Sequence, residues 1–276
     1  MKRALQLLAR VAGATLLTLL LLEAVLQLGA VVVRMTGRET PVPLEAGAGV
    51  TRLLALGDSN TYGLYLEREQ AYPALLAARW NRDLPGSLQV VNLGYPGNNS
   101  SVILRDLAAN LREHRPQIVT IMVGVNDFWT IPVETAGDSS AGAGLGAALR
   151  SRSRVYKLGY MLWRSVAGPL KDTTVVRTED PSARRLDRNL DRIAEIVEQH
   201  EARLLVLTYP YGELQNHCNR RLRGFAERAG LALVDTTDAY ASRCGSTHCE
   251  ELLFFDNHPS AAGHEMIARL LDQALR

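Results

Sequence analysis

Cysteine is scarce: three in 276 residues, too few for a disulfide scaffold. A surplus of one charge is missing too. The 31 Lys and Arg residues stand against 29 Asp and Glu, so nothing in the charge balance calls for a nucleic-acid partner. No internal repeat is visible. What remains is a globular composition, 47% hydrophobic and 22% charged, at a length that suits one large α/β domain, or one domain with an appendage.

A further absence is local. Val11 to Val33 runs 23 residues without Lys or Arg and with Glu23 as its single charge. As a helix it is about 35 Å long, enough to cross a hydrocarbon core of about 30 Å with some tilt. Glu23 and Gln27 oppose insertion by about 2–4 kcal/mol. Eight leucines and five valines, each favourable by a few tenths, outweigh them. Lys2, Arg3 and Arg10 precede the span and Arg34 and Arg38 follow it, a bias that puts the N-terminus in the cytoplasm. Leu28-Gly29-Ala30 is a poor cleavage site for a signal peptide, and a buried soluble helix would show a polar face. Residues 1–35 therefore read as an uncleaved, single-pass membrane anchor. Residues 36–50, with Gly37, Pro41, Pro43, Gly47 and Gly49, read as a linker. Residues 51–276 form the globular domain, facing the periplasm or cell exterior.

In that domain, short apolar runs alternate with helical periodicity. Strands are expected at Leu53–Leu56, Leu88–Leu93, Ile118–Val123, Leu204–Thr208 and Leu231–Val234. Helices are expected at Ala71–Trp80, Ser101–His114, Leu186–His200, Asn219–Ala229 and Ala261–Leu275. The alternation argues for a five-stranded parallel, doubly wound sheet of flavodoxin-like type, with every strand's carboxyl end along one edge. Residues from about 128 to 181 exceed a normal connection and read as an insertion. Its middle, Ala136–Ala148, is rich in Gly, Ala and Ser. Val155, Leu158, Leu162 and Val166 then recur at helical spacing beside Tyr156, Tyr160, Met161 and Trp163, and among Arg150, Arg152, Arg154 and Lys157. This part reads as a lid, a membrane-resting element, or a helix packed on the sheet.

The strand ends carry polar residues: Ser59 after the first, Gly94 after the second, Asn126 after the third, with His258 near the C-terminus. A serine needs a base to take its proton, and histidine serves near neutral pH. A backbone N–H and an asparagine amide supply oxyanion donors. Together these make an inventory for acyl transfer. Ser59 is followed by Asn60 and Thr61 and lies early in the domain, unlike a Gly-x-Ser-x-Gly elbow.

From about Thr51 to Arg276 the chain instead resembles the SGNH (GDSL-type) hydrolases. The matching blocks are Gly57-Asp58-Ser59, Asn92-Leu93-Gly94, Gly124-Val125-Asn126-Asp127 and His258-Pro259 with Ala261-Ala262-Gly263-His264. The resemblance implies Ser59 as nucleophile, His258 as base, and the Ser59 and Gly94 N–H groups with the Asn126 amide as oxyanion hole. It departs from the family at Asn60, where the name implies leucine. It also departs at the acid, which the family places three residues before the histidine. Phe255 stands there, so Asp256 is the expected triad acid, with Asp235, Asp238, Glu251 or an acid-free dyad as alternatives. Asp58 and Asp127 are expected to brace loops. His264 is expected to be structural, and His114, His200 and His217 to sit at the surface or at helix ends. Cys218, Cys244, His248 and Cys249 match no zinc-finger spacing, so one disulfide with one spare thiol is expected, the pair left open.

The implied activity is a membrane-anchored serine esterase acting on a small-molecule, lipid or glycan ester, with no metal or organic cofactor. Acetyl transfer to or from an envelope polysaccharide uses the same residues, and a non-catalytic binding domain of this fold is the other alternative.

Overall fold

The computed structural model describes residues 2–37, 49–129, 153–156, 158–159, 181–210, 216–245 and 248–276. The chain divides into two units, residues 1–42 with 136–171, and residues 43–135 with 172–276.

The first unit is built on helix α1 (Lys2–Gly37). Within it Arg10–Gly29 has a mean hydropathy of 2.0 over 20 residues and none of that stretch is buried. At 1.5 Å per residue this is about 30 Å, the thickness of a bilayer core. Thr36 and Gly37, expected in the linker, continue the helix instead. The Ser153–Gly159 segment meets α1 through Glu23. Ser153 Oγ donates to the Glu23 carboxylate at 2.9 Å, and the N–H groups of Arg154 and Val155 donate at 3.0 and 2.8 Å. Gln27 Nε2 adds a bond of 2.6 Å from within the helix. Ser153 Oγ also accepts from Tyr156 N at 3.0 Å, so it caps the short helical turn that follows. Residues 38–48 of the expected linker and 130–152, 157 and 160–180 of the expected insertion, which include Ala136–Ala148, Arg150, Arg152, Lys157, Tyr160, Met161, Leu162, Trp163 and Val166, lie outside the described residues.

The second unit holds the sheet: β1 (Thr51–Gly57), β2 (Leu88–Gly94), β3 (Ile118–Met122), β4 (Arg203–Leu207) and β5 (Ala232–Val234). All neighbours are parallel, in the order β2-β1-β3-β4-β5. The expected doubly wound sheet is therefore present. Its fully buried runs, such as Leu53, Leu54 and Leu205–Leu207, explain why the strands read as unbroken apolar stretches.

Helices α2 (Ser59–Tyr62), α3 (Tyr72–Asp83), α4 (Ser100–His114), α5 (Val125–Trp129), α6 (Pro181–Gln199), α7 (Asn216–Ala229), α8 (Thr237–Cys244) and α9 (Ala261–Leu275) complete the unit. α6 buries Leu186, Leu190, Ile193 and Val197, one stripe at helical spacing. Each such leucine contributes about 1.5–3 kcal/mol of burial. α3 packs with α9, and α4 with α6. Two short helices, α2 and α5, and the later α8 were not legible in the sequence.

The chain passes from β1 outward to β2 and then back across to β3. That reversal opens a crevice at the carboxyl ends of β1 and β3, where such sheets bind ligands.

Candidate active site

Gly57 ends β1, and a side chain there would collide with Thr61, whose Oγ1 lies 2.0 Å from the position of a Cβ. The close approach lets the chain turn straight into α2. Asp58 caps that helix, its carboxylate accepting from Asn60 N at 2.9 Å and Asn60 Nδ2 at 2.8 Å. Its other oxygen accepts from Tyr209 Oη, just beyond β4, at 2.7 Å. Burial pushes the Asp58 carboxyl up, against the pull of these bonds. Ser59 is the first residue of α2. Its own N–H, in the first turn, has no acceptor within the helix.

Asp127, on α5, is similarly placed. It accepts from Ser100 N at 2.9 Å and Ser100 Oγ at 2.5 Å, and its backbone oxygen accepts from Arg185 at 3.0 Å. Burial raises its carboxyl to about 6. Both aspartates therefore brace the strand ends.

His258 Nε2 lies 2.8 Å from Ser59 Oγ across 199 residues of sequence. On the other side of the ring, Asp256 Oδ2 is 2.9 Å from Nδ1, although the carboxylate lies off the N–H axis, so the contact is close without being a linear hydrogen bond. The Phe254–His258 loop explains how an acid only two residues away reaches the ring. Asn257 takes φ 67°, the left-handed region that asparagine tolerates better than most residues. Phe254 N donates to His258 O and Asn257 N to Phe254 O, closing the loop. Asp256 Oδ1 also accepts from His258 N at 3.3 Å.

Of the alternative acids, Asp235 pairs with Arg223 at 2.5 Å and Glu251 pairs with Arg243. Burial disfavours the Asp235 charge, but the Arg223 and Thr237 bonds outweigh it and hold the carboxyl down to about 2.

Tyr65 was missed by the sequence reading. Its hydroxyl donates to Asp256 Oδ2 at 2.9 Å, and its ring stands edge-on to His258 at 5.8 Å and to Phe254 at 5.6 Å. Burial opposes the Asp256 charge, but the Tyr65 hydroxyl, the His258 N–H and the imidazole together hold the carboxyl below its ordinary value. Tyr65 itself adopts φ 72°, a strained conformation for a bulky residue that its contacts must hold.

The expected oxyanion donors occupy the same edge, with existing partners. Gly94 N donates to Asn92 Oδ1 at 2.9 Å, and Asn92 Nδ2 donates to Thr61 O at 2.8 Å. Asn126 Nδ2 donates to Asn98 O at 2.9 Å, which sets the amide plane. Gly94 has a steric reason as well: a Cβ there would lie 2.4 Å from Tyr62 N.

His264 accepts from Tyr72 N at 3.0 Å through Nδ1, and burial lowers it to about 4, so it is a neutral structural group. His200 sits at a helix end, its Nδ1 within 2.8 Å of Ile196 O. His114 and His217 are at helix ends but not at the surface. Both are buried, His217 against the Phe128 ring. Cys244 and Cys249 form the disulfide and Cys218 is a buried free thiol, which leaves no room for a zinc set among these residues.

Comparison with known proteins gives these residues a context. Residues 55–266 match the model of the GDSL-like Lipase/Acylhydrolase family. Over 80 residues the chain is 36% identical to Thioesterase 1/protease 1/lysophospholipase L1 of Escherichia coli, a stretch covering 29% of this chain and 36% of that relative's length. Among solved structures, a catalytic mutant of an acetylxylan esterase from Geobacillus stearothermophilus superposes with a TM-score of 0.54 at 19% identity, over 82% of this chain and 94% of that one. A psychrotrophic esterase from a Pseudoalteromonas species, inhibited by monoethylphosphonate, gives 0.52 at 15%, over 82% and 96%. At these identities the likeness is one of fold. The family match covers most of the chain: this protein belongs to the GDSL-like lipase/acylhydrolase family.

Proposed function

We propose that the chain is a membrane-anchored serine esterase that cleaves a carboxylic ester through an acyl-serine intermediate. The observation that carries this reading is the 2.8 Å approach of Ser59 Oγ to His258 Nε2, with Asp256 on the far side of the same ring. In the resting tautomer Nδ1 bears the proton and Nε2 is free to accept.

Ser59 Oγ attacks the ester carbonyl carbon as its proton passes to His258 Nε2, and the carbonyl oxygen becomes an oxyanion. The Ser59 N–H, at the α2 terminus, is the first donor to it. The Gly94 N–H joins by turning from Asn92 Oδ1 to the stronger, charged acceptor, and Asn126 supplies an amide N–H. Collapse breaks the bond to the alcohol, which leaves with the Nε2 proton. Water then attacks the acyl-serine, gives its proton to Nε2, and collapse releases the acid and restores Ser59. Asp256 stabilises the imidazolium in both halves.

The exported location rests on α1 and on the Cys244–Cys249 disulfide, which suits an oxidising compartment. The alcohol and acyl group belong to a small-molecule, lipid or glycan ester.

The test is hydrolysis of short-chain nitrophenyl esters by the full chain, wild type beside Ser59→Ala, with fluorophosphonate labelling in parallel. Turnover and labelling that vanish together in Ser59→Ala support the reading. Turnover that survives refutes the nucleophile. A reporter joined after Thr40 reads the topology, and its retention in the cytoplasm overturns the exported location.

A further inference from the structure

The anchor helix carries its one carboxylate where a bilayer tolerates it least. Glu23 lies 3.5 residues from the midpoint of Arg10–Gly29, about 5 Å along the axis. The half-thickness of the hydrocarbon is about 15 Å. Groups bonded to Glu23 share its depth, about 10 Å below the membrane surface. Those groups come from a distant part of the chain, the hydroxyl of Ser153 and the backbone N–H groups of Arg154 and Val155, about 130 residues away.

Each side of this contact is a liability in lipid. An unpaired carboxylate and unpaired N–H groups at the start of a helical turn each cost several kcal/mol in hydrocarbon, where water is not there to satisfy them. Brought together, each satisfies the other. Arg154 Nε reaches Gln27 Oε1 at 3.3 Å, one turn nearer the surface, where a long basic side chain extends toward the headgroups. Leu20, about one turn before Glu23 on the same side of α1, and Tyr156 and Leu158 on the incoming segment are apolar and exposed.

We propose that the Ser153–Gly159 segment is a re-entrant membrane element, docked inside the bilayer on Glu23 of the anchor helix, with lipid acyl chains as the partner of its exposed face. In chain order the segment is preceded by residue 135 and followed by residue 172 of the other unit, so both of its ends lead back to that unit. The inference rests on reading α1 as a membrane span.

The test places a nitrobenzoxadiazole fluorophore at Leu158→Cys in the full chain, reconstituted in phosphatidylcholine vesicles. Quenching is compared for nitroxides on the acyl chains, nitroxides on the headgroups and aqueous iodide. Leu20→Cys on α1 is the reference. Stronger quenching by acyl-chain nitroxides at both positions supports the proposal. Acyl-chain quenching at Leu20 with iodide quenching at Leu158 overturns it and leaves the anchor standing. Iodide quenching at both overturns anchor and proposal together. In Glu23→Leu the label at Leu158 is expected to move to the headgroup and iodide quenchers, at least a threefold change in the quenching ratio. No change there refutes Glu23 as the dock.

Discussion

Replacing Asp256 by asparagine tests the acid–base pair with almost no change of shape. The carboxylate stands 2.9 Å from His258 Nδ1, with side-chain exposures of 27% and 19%. Two unit charges at that distance attract by about 3–6 kcal/mol for an effective dielectric of roughly 40 to 20. The imidazolium exists only after Ser59 has given up its proton, so this attraction stabilises the transition state and not the resting enzyme. At 1.36 kcal/mol per tenfold, Asp256→Asn is expected to lower kcat by about 10²–10⁴. KM should move only a few-fold, because Asp256 lies behind the histidine, away from Ser59. Asparagine's one amide oxygen can stand in the place of Oδ2 and still accept from the Tyr65 hydroxyl, giving up only the long 3.3 Å bond from His258 N, so the loop keeps its fold. Thermal unfolding of the variant checks that. Steady-state ester hydrolysis across a range of substrate concentrations separates kcat from KM. A kcat within tenfold of wild type, in a folded variant, would refute the assignment of Asp256 and return weight to a dyad.

Tyr65→Phe keeps the ring contacts with Phe254 and His258 but removes the donor to Asp256. A kcat loss of about three- to thirty-fold is expected, from a hydrogen bond to a charged group discounted for exposure, and unchanged kinetics would remove Tyr65 from the site. Asp127, with its carboxyl raised to about 6, binds a proton in the native state over a window where the unfolded chain, near 3.9, has lost it. Stability from this group therefore falls as pH rises from about 4 to 6, by up to about 3 kcal/mol. The Tm of wild type relative to Asp127→Asn should drop across that window and level off above it, and a difference that grows with pH would refute the sign. Gly94→Ala drives a Cβ to 2.4 Å from backbone, where nothing flexible can yield. A loss of about 1–3 kcal/mol in stability and slower fluorophosphonate labelling of Ser59 are expected, and an unchanged Tm would show that β2 and α2 are less tightly apposed than described.

The fold was legible because each level of the sequence agrees. The strands are buried on both faces and so read as plain apolar runs, and the long helices carry stripes such as Leu186, Leu190, Ile193 and Val197. What the sequence hid has a common cause. α2 and α5 are four and five residues long, too short to show a period. α8 has Tyr240 as its one buried side chain, so it shows no stripe either. Tyr65 acquires its place only through contact with a residue 191 positions away. Asn92, read as part of a motif, turns out to hold both the Gly94 N–H and the Thr61 carbonyl. His114 continues the α4 stripe of Ile103, Leu107 and Leu111, so its burial could have been read from the period, whereas His217 is buried against Phe128, a neighbour distant in sequence.

The left-handed turn at Asn257 bears on how such a loop diversifies. Where acid and base are separated by two residues, deletion of one would swing the carboxylate away from the ring in an ordinary extended chain. A residue at ease in the left-handed region, placed between them, reverses that swing and restores the approach. On the proposed assignment of Asp256 and His258, one residue between acid and base suffices when asparagine, aspartate or glycine fills the gap. A search pattern written on the longer spacing alone would pass over chains with this loop, whereas one that admits Asp-Asn-His or Asp-Gly-His would retain them.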